Sequence, residues 1–348
     1  MTNLQLSEEF ISNSKNFFKD ENIKIDKKHQ NIIGTFYQEF KKDKKFFDKN
    51  FRDWSGQNDY NTPPQISYKN LKINGVYKGL FLEIAKYIYS FFKPQNYDGF
   101  FDDLKILKMF DYKKYLQLNP VDLTPNCSNF YFIDNDVSTN VRWNRYAFIT
   151  GQIIKYKLLN SKSTWVDIGS YYGGLQSFIK KIYPEINIVL VDFYHQLCRS
   201  YIFLKQIFPE ATHVFPDQLN KVQDINNLKG NIFYVPTQNY FDLSIDADLL
   251  TNFFSFGEMK KEHFYNYHQS KIFKKAKYKY FINRNIGSPA FEKTYDTEIT
   301  VLDYRLNEKE VIYFDMHPIQ HFQLQNRTLY GEKRFRPRSS DHFEVIFK

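Results

Sequence analysis

Residues 164–183, TWVDIGSYYGGLQSFIKKIY, constrain the fold of this chain more than any other stretch. An apolar run of strand length leads into a loop with Gly169, Gly173 and Gly174. Beyond the loop, Leu175, Phe178, Ile179 and Ile182 recur at i, i+3, i+4 and i+7. That spacing predicts a helix with one buried stripe, lying against a sheet. Similar units follow. NIVLVDF and NIFYVP read as strands, with HQLCRSYIFLKQIF a helix after the first. DADLLTNFF and KYKYFINRN read as two more strands, with KKEHFYNYHQSKIF a helix between them. Apolar strands alternating with helices predict a parallel sheet covered on both faces. EVIYFDMHPIQHFQL and DHFEVIFK read instead as adjacent antiparallel strands. The expected fold class is α/β, a doubly wound Rossmann-like sheet with an antiparallel C-terminal edge.

The first half of the chain reads differently. SEEFISNSKNFF has helical spacing, with Ser7 as its cap. HQNIIGTFYQEFKKDKKFFDKNF places Ile33, Phe36, Tyr37 and Phe40 on one stripe. GVYKGLFLEIAKYIYSFF and FFDDLKILKMFDYKKYLQL follow the same pattern, and the loops WSGQNDYNTPPQ (54–65) and KPQNYDG (93–99) separate these runs. NVRWNRYAFITGQIIKYKLLN (140–160) is a further helix. The expected division is a mainly helical domain over 1–135 and a ligand-binding domain over 136–348. The helical domain would roof the site and supply substrate contacts, with Trp143 and Arg145 near the junction.

With 348 residues, 42% of them hydrophobic, the chain can bury a large core. Its net charge of +9 suits anionic partners, but the densest basic run, KKDKKFFDKNFR (41–52), is interrupted by acids and reads as a solvated helix face. Cys127 and Cys198 form no C-x-x-C pair, which argues against a disulfide framework or a thiolate zinc site. MTNLQLSEEF is polar and acidic, unlike a signal peptide, and GLFLEIAKYIYSFF is too short and too charged to span a membrane. The expected setting is soluble, reducing and cytoplasmic.

In doubly wound sheets ligands bind at the carboxyl ends of the strands, where the strand order reverses. Here the first strand ends at Asp167-Ile168-Gly169 and the second at Asp192, twenty-five positions on. A carboxylate at the second position can accept hydrogen bonds from both hydroxyls of a ribose; it can also cap the following helix. The loop lacks the G-x-G-x-x-G of a nicotinamide site, and no G-x-x-x-x-G-K-[ST] phosphate loop occurs. Asp167, just before the first glycine, would repel a pyrophosphate and welcome a cationic ligand.

VDIGSYYGGL, IVLVDF, NIFYVP and LLTNFFSFGEM, in this order, resemble the class I S-adenosylmethionine-dependent methyltransferases. They look most like the bacterial sugar O-methyltransferases of polysaccharide gene clusters. The resemblance covers residues 140 to about 290. It implies a seven-stranded methyltransferase sheet, S-adenosylmethionine as cofactor with S-adenosylhomocysteine as product, and transfer of methyl to a hydroxyl of a sugar or glycan precursor. The family pattern is acid-x-Gly-x-Gly-x-Gly, and Tyr171 stands at its middle glycine. Carried over, Asp167 orders the loop and approaches the methionine amine, while Gly169, Ser170, Tyr172 and Gly173 pass close to the methionine part. Asp192 holds the ribose and Phe193 lies against the adenine. Gln238, after the third strand, meets the adenine amino group or else faces water.

A sugar hydroxyl is a poor nucleophile at neutral pH and needs a general base, or a metal to acidify it. Glu258 follows the fourth strand, where substrate meets cofactor in this fold; it equally suits the first turn of a helix. His317, in FDMHPIQH, lies in the section expected to overhang the carboxyl edge; the alternative is a packed histidine. His263 and His268, five apart, have the wrong spacing for one helix face. No tight His/Asp/Glu cluster points to a metal. Arg284 and Asn285, ending the fifth strand, suit a hydroxyl-rich or anionic substrate, or a salt bridge. Two other functions compete. A nucleic-acid methyltransferase fits the charge, but TNFFSFGEM replaces the Pro-Pro-aromatic run that serves base amino methylation, and no basic stripe is visible. A binding protein that retains the fold without the activity fits Tyr171. The expected partner is a sugar or glycan rather than nucleic acid, with a homodimer left open.

Overall fold

The computed structural model describes residues 1–15, 81, 84, 98–127, 130–134, 137–221, 225–286, 299–319 and 342–348. The helical runs that start at His29 and Gly75 (apart from Phe81 and Ile84), the loop 54–65 and the charged run 41–52 lie outside the described residues.

Helix α1 spans Asn3–Ser12. Its cap is Thr2 rather than Ser7. Thr2 Oγ1 accepts from the Gln5 N–H (3.2 Å), and Gln5 Oε1 accepts from the Thr2 N–H (2.8 Å). This reciprocal box starts the helix before Ser7 is reached, so Ser7 sits inside it and donates to the Leu4 carbonyl. FFDDLKILKMFDYKKYLQL forms two helices, α2 (Asp98–Leu107) and α3 (Tyr112–Leu118). Strands β1 (Tyr131–Asp134) and β2 (Val137–Thr139) make an antiparallel hairpin that the helical reading of this half omits. Helix α4 (Val141–Lys155) is capped by Asn140, whose side-chain oxygen accepts from the Trp143 N–H at 2.8 Å. Trp143 is fully buried and donates its indole N–H to the Asn119 carbonyl (2.8 Å), so it is a core residue.

The alternating region follows the expected rhythm. It runs β3 (Thr164–Ile168), α5 (Gly174–Ile182), β4 (Asn187–Asp192), α6 (Tyr194–Ile207), β5 (His213–Val214), β6 (Ile232–Pro236) and β7 (Leu249–Phe253). Then come α7 (Lys261–Gln269), α8 (Lys271–Lys275), β8 (Tyr278–Arg284), β9 (Val311–Met316) and β10 (His342–Phe347). The run read as one helix over 260–273 breaks at Ser270, whose hydroxyl caps α8 by accepting from the Phe273 N–H.

The sheet order is β5-β6-β4-β3-β7-β8-β10-β9. The strands from β5 to β8 are parallel; β10 runs antiparallel to both β8 and β9. Seven strands match the expected sheet, and the two-residue β5 extends it at one edge. His213 anchors that extension by hydrogen-bonding the Tyr234 hydroxyl (2.8 Å). The chain leaves β3 outward through β4 and β6 and returns to the other side of β3 as β7, so the order reverses at β3. Strands β3, β4 and β6 are buried throughout, as strands covered on both faces must be.

Two compact units divide the described elements: α1 with β3 to β10 and their helices, and α2, α3, β1, β2 with α4. In this division α1 belongs with the sheet and α4 with the smaller unit. Phe10 of α1 is fully buried, with ring centroids 5.2–5.9 Å from those of Tyr194, Tyr201, Phe215 and Tyr234. Beside it, Tyr201 donates its hydroxyl hydrogen to Glu9 at 2.6 Å. Among the described residues no helix is long and apolar enough to cross a membrane.

Candidate functional site

The site is built where β3, β4, β6 and β7 end. Three alternate residues of the loop after β3 take left-handed backbone angles: Gly169 (φ +80°), Tyr171 (φ +56°) and Gly173 (φ +93°). Tyr171 therefore keeps the conformation of the glycine it replaces. A non-glycine residue pays about 1–2 kcal/mol for that. Local bonds oppose the cost. The Tyr171 N–H donates to Asp192 (2.9 Å), and its carbonyl accepts from the Ser200 hydroxyl (2.5 Å). Its half-buried ring lies 4.9 Å from that of Tyr172, with the Arg199 guanidinium over it at 5.0 Å. The Gly169 N–H donates to the Val191 carbonyl (2.8 Å), tying the loop to β4.

Asp192, at the end of β4, is buried. One carboxylate oxygen accepts from Tyr171 N–H and the other from Phe193 N–H (2.7 Å). Burial raises its pKa to about 7, against the two backbone donors and the nearby Arg199 charge. Each oxygen retains acceptor capacity beyond these bonds. Phe193 is half-buried, with its ring stacked on that of His195. Gln238 precedes a short 3₁₀ turn after β6, and its side-chain oxygen has no hydrogen-bond partner. The Ser170 hydroxyl, in the loop, is buried and equally without one.

Asp167 faces the protein interior. Thr251 on β7 donates to one carboxylate oxygen (2.5 Å) and Gln176 on α5 donates to the other. These two bonds tie Asp167 to β7 and α5. Burial pushes the Asp167 pKa up to about 8, opposed by the Thr251 hydrogen bond, reinforced by Asp192 and opposed again by Gln176. Tyr172, read as a contact of the methionine part, is fully buried edge-on to Phe203. Sequence reasoning did not single out Thr251, Gln176, Asn252 or Ser255. Asn252, at the end of β7, donates to the Ile168 carbonyl (2.8 Å) and to Ser255 Oγ (2.6 Å), and it accepts from Phe256 N–H. These bonds lock the β7 loop against the glycine loop. Their only sequence signal is position: polar residues in strands that are otherwise apolar.

The pKa of Asp167 gives a stability prediction. The folded protein holds a proton that the unfolded chain releases above its usual value near 4, so this group's contribution becomes less favourable as pH rises from about 4 to about 8. Asp167→Asn removes that penalty. The Gln176 side-chain oxygen, which has no partner, can turn to accept from the new amide. The Tm advantage of Asp167→Asn over the parent should therefore grow between pH 5 and pH 8. A difference that stays constant in thermal melts across that range contradicts the assignment.

Glu258 is the exposed last residue of a 3₁₀ turn, Phe256–Glu258, beyond β7, whose other two residues are buried. Arg284, half-buried at the end of β8, packs against Gly257: a Cβ added there would lie 3.4 Å from that of Arg284. Asn285 follows, its carbonyl accepting from Val301 N–H (2.9 Å). His317 follows β9 at the carboxyl edge and is buried. Its Nδ1 lies 3.2 Å from the Glu344 carboxylate, and its ring meets the Phe254 ring at 5.5 Å. Among the described residues no group of three His, Cys, Asp or Glu is placed to hold a metal ion.

No family model and no curated protein matches the chain. Solved structures do. The methyltransferase domain of bacterial CtHen1 is similar at 12% identity over 60% of this chain and 100% of that one, with a TM-score of 0.35. An S-adenosylmethionine-dependent methyltransferase from Aquifex aeolicus is similar at 13% identity over 56% and 87%, with a TM-score of 0.32. TehB from Haemophilus influenzae is similar at 10% identity over 62% and 71%, with a TM-score of 0.38. The sheet itself is Rossmann-like, with parallel strands and an antiparallel C-terminal edge.

Proposed function

We propose that this chain is an S-adenosylmethionine-dependent O-methyltransferase acting on a hydroxyl of a sugar or glycan precursor. The observation that carries the cofactor part is the loop at 169–173, with three left-handed positions, whose middle residue Tyr171 donates its N–H to the buried Asp192 carboxylate. The residues around it suit the cofactor. Asp192 would accept from the ribose hydroxyls, and Phe193 would cover the adenine. The unpartnered Gln238 oxygen would accept from the adenine amino group. Gly169, Ser170 and Gly173 would line the methionine part. The cofactor would supply a methyl group made electrophilic by the sulfonium that bears it.

This chain's part is then to position the acceptor and remove its proton. Glu258 follows the β7 loop in the chain and the His317 ring meets Phe254 of that loop, so either would serve as the base, and Arg284 with Asn285 would hold sugar hydroxyls at the end of β8. The sequence motifs resembling sugar O-methyltransferases support that choice of acceptor. A nucleic-acid acceptor is the competing reading, favoured by the net charge of +9.

Titration calorimetry with S-adenosylmethionine tests the first step, and no heat up to millimolar cofactor would sink the enzyme reading. Transfer of radiolabelled methyl to nucleoside-diphosphate hexoses and, separately, to bulk transfer RNA tests the second. Labelled sugar supports this proposal; label in RNA alone replaces it with the competing one. Within that assay, Glu258→Gln and His317→Ala should differ, with the base substitution costing about 10²–10⁴ in kcat. Full rates in both variants would remove the base assignment.

A further inference from the structure

Tyr171 is gripped at three points. Its N–H donates to Asp192 at the end of β4 (2.9 Å), and its carbonyl accepts from the Ser200 hydroxyl on α6 (2.5 Å). The guanidinium of Arg199, one residue earlier on α6, lies 5.0 Å from its ring centroid. A glycine here would keep the first two contacts and adopt φ +56° with less strain. What the tyrosine adds is a ring, which meets Tyr172 edge-on and lies under the charge of Arg199. Arg199 is fully buried and permanently charged. A buried cation is costly unless its charge is answered. Its Nη1 donates to Gln196 Oε1 (2.7 Å), and the Tyr171 ring offers it the negative face of an aromatic quadrupole. Arg199 acts on Asp192 as well. Burial raises the pKa of that carboxyl, and the Phe193 N–H, the Tyr171 N–H and the Arg199 charge oppose the rise. Asp192, Tyr171 and Arg199 thus form one chain from the end of β4 through the glycine loop to α6.

We propose that Arg199 and the Tyr171 ring are a coupled pair of positioning residues that hold the glycine loop and the Asp192 carboxylate in place for the ribose of the cofactor. The inference rests on the cofactor reading above. A loop built on glycines loses much backbone freedom when a ligand orders it. Here the clamp of ring and guanidinium orders the middle of the loop as the chain folds, so that loss no longer falls on the binding step. Tyr171 is then a working part of the site, not a departure that the fold tolerates.

A double-mutant cycle on the full chain tests the coupling, with S-adenosylmethionine titrated by calorimetry and thermal melts run alongside. Arg199→Met keeps most of the side chain's length and removes the charge, and the cofactor Kd at neutral pH should rise about tenfold. Tyr171→Gly relieves the strain, yet Kd should rise about three- to tenfold. Tyr171→Phe keeps the ring and should stay within about twofold of the parent. The double variant should bind within about twofold of Arg199→Met alone, because both substitutions remove the same contact. Fully additive losses overturn the coupling. The pH profile separates charge from packing. Among the described residues, the titratable and charged groups acting on Asp192 are Arg199 from α6, Asp167 from β3 and Tyr267 from α7. Only the first changes in Arg199→Met. Its loss moves ionisation of Asp192 to higher pH, so the defect should shrink as pH rises from about 7 to about 9. A purely structural arginine would lower Tm and leave the Kd of the folded protein at the parent's value across that range, and that result overturns the proposal. So does a Tyr171→Gly protein that binds as tightly as the parent. Should Arg199→Met fail to fold, the contrast between Tyr171→Gly and Tyr171→Phe decides. A parent that binds no S-adenosylmethionine overturns the cofactor reading instead, and the parent's own isotherm tells the two failures apart.

Discussion

Asp192→Ala is expected to weaken S-adenosylmethionine binding by at least about a hundredfold. Hydrogen bonds to a charged acceptor contribute about 1.5–3 kcal/mol each, and this carboxylate would receive two from a ribose. The substitution also removes the acceptor for the Tyr171 and Phe193 N–H groups. The glycine loop then loses its tie to β4 on that side, and the left-handed Tyr171 loses part of what compensates its strain. The fold should persist, because β4 is held by its ladders to β3 and β6, not by this side chain. Calorimetry and thermal melts in parallel separate the two effects. A native-like Tm with lost cofactor heat supports the role; unchanged affinity refutes it. A pH dependence accompanies the parent protein. The ionised form of Asp192 is the better acceptor and its pKa stands at about 7, so affinity should decline as pH falls from 8 to 6.

Gly169→Ala should be strongly damaging. The residue sits at φ +80°, and a Cβ there would overlap the Ser255 side chain. Ser255 cannot simply withdraw, because it accepts from Asn252, which also holds the Ile168 carbonyl. Left-handed strain and overpacking each cost on the order of 1–3 kcal/mol. The expected result is a loss of several degrees in Tm together with weakened cofactor binding. The comparison that isolates geometry is Gly169→Ala with Ser255→Gly. Removing the Ser255 side chain should return the overpacking part and leave the backbone part. If the single variant melts with the parent, the close approach of the two loops is wrong.

Much of this architecture was legible because it is written in periodicity. The alternation of apolar strands with the Leu175–Ile182 stripe set the doubly wound sheet, and β9 and β10 could be read as an antiparallel edge from their own alternation. Asp192 was legible from its place at a strand end. Tyr171 was legible only as a departure. Its left-handed φ, and the Ser200 and Arg199 contacts that accommodate it, depend on a helix some thirty residues away. The partners of Asp167 were illegible for a similar reason. The sequence showed a carboxylate beside a glycine loop, but Thr251 and Gln176 turn it inward, and both come from other elements. Ser7 was misread because Thr2 and Gln5 satisfy the free N–H groups of α1 first. Glu344 carried no signal at all: one acid in an apolar strand resembles a solvent-facing position until the neighbouring strands are known.

Helix α1 has a consequence for how this protein is made. Its Phe10 needs Tyr194, Tyr201, Phe215 and Tyr234, and the Glu9–Tyr201 contact spans 192 residues. At ribosomal rates of about 5–20 residues per second, the nascent helix waits roughly 10–40 s for its docking surface to emerge. Through that interval its aromatic face is uncovered beside the exit tunnel, where chaperones engage such faces. A helix synthesised 192 residues ahead of its partner Tyr201 is thus among the latest segments to settle.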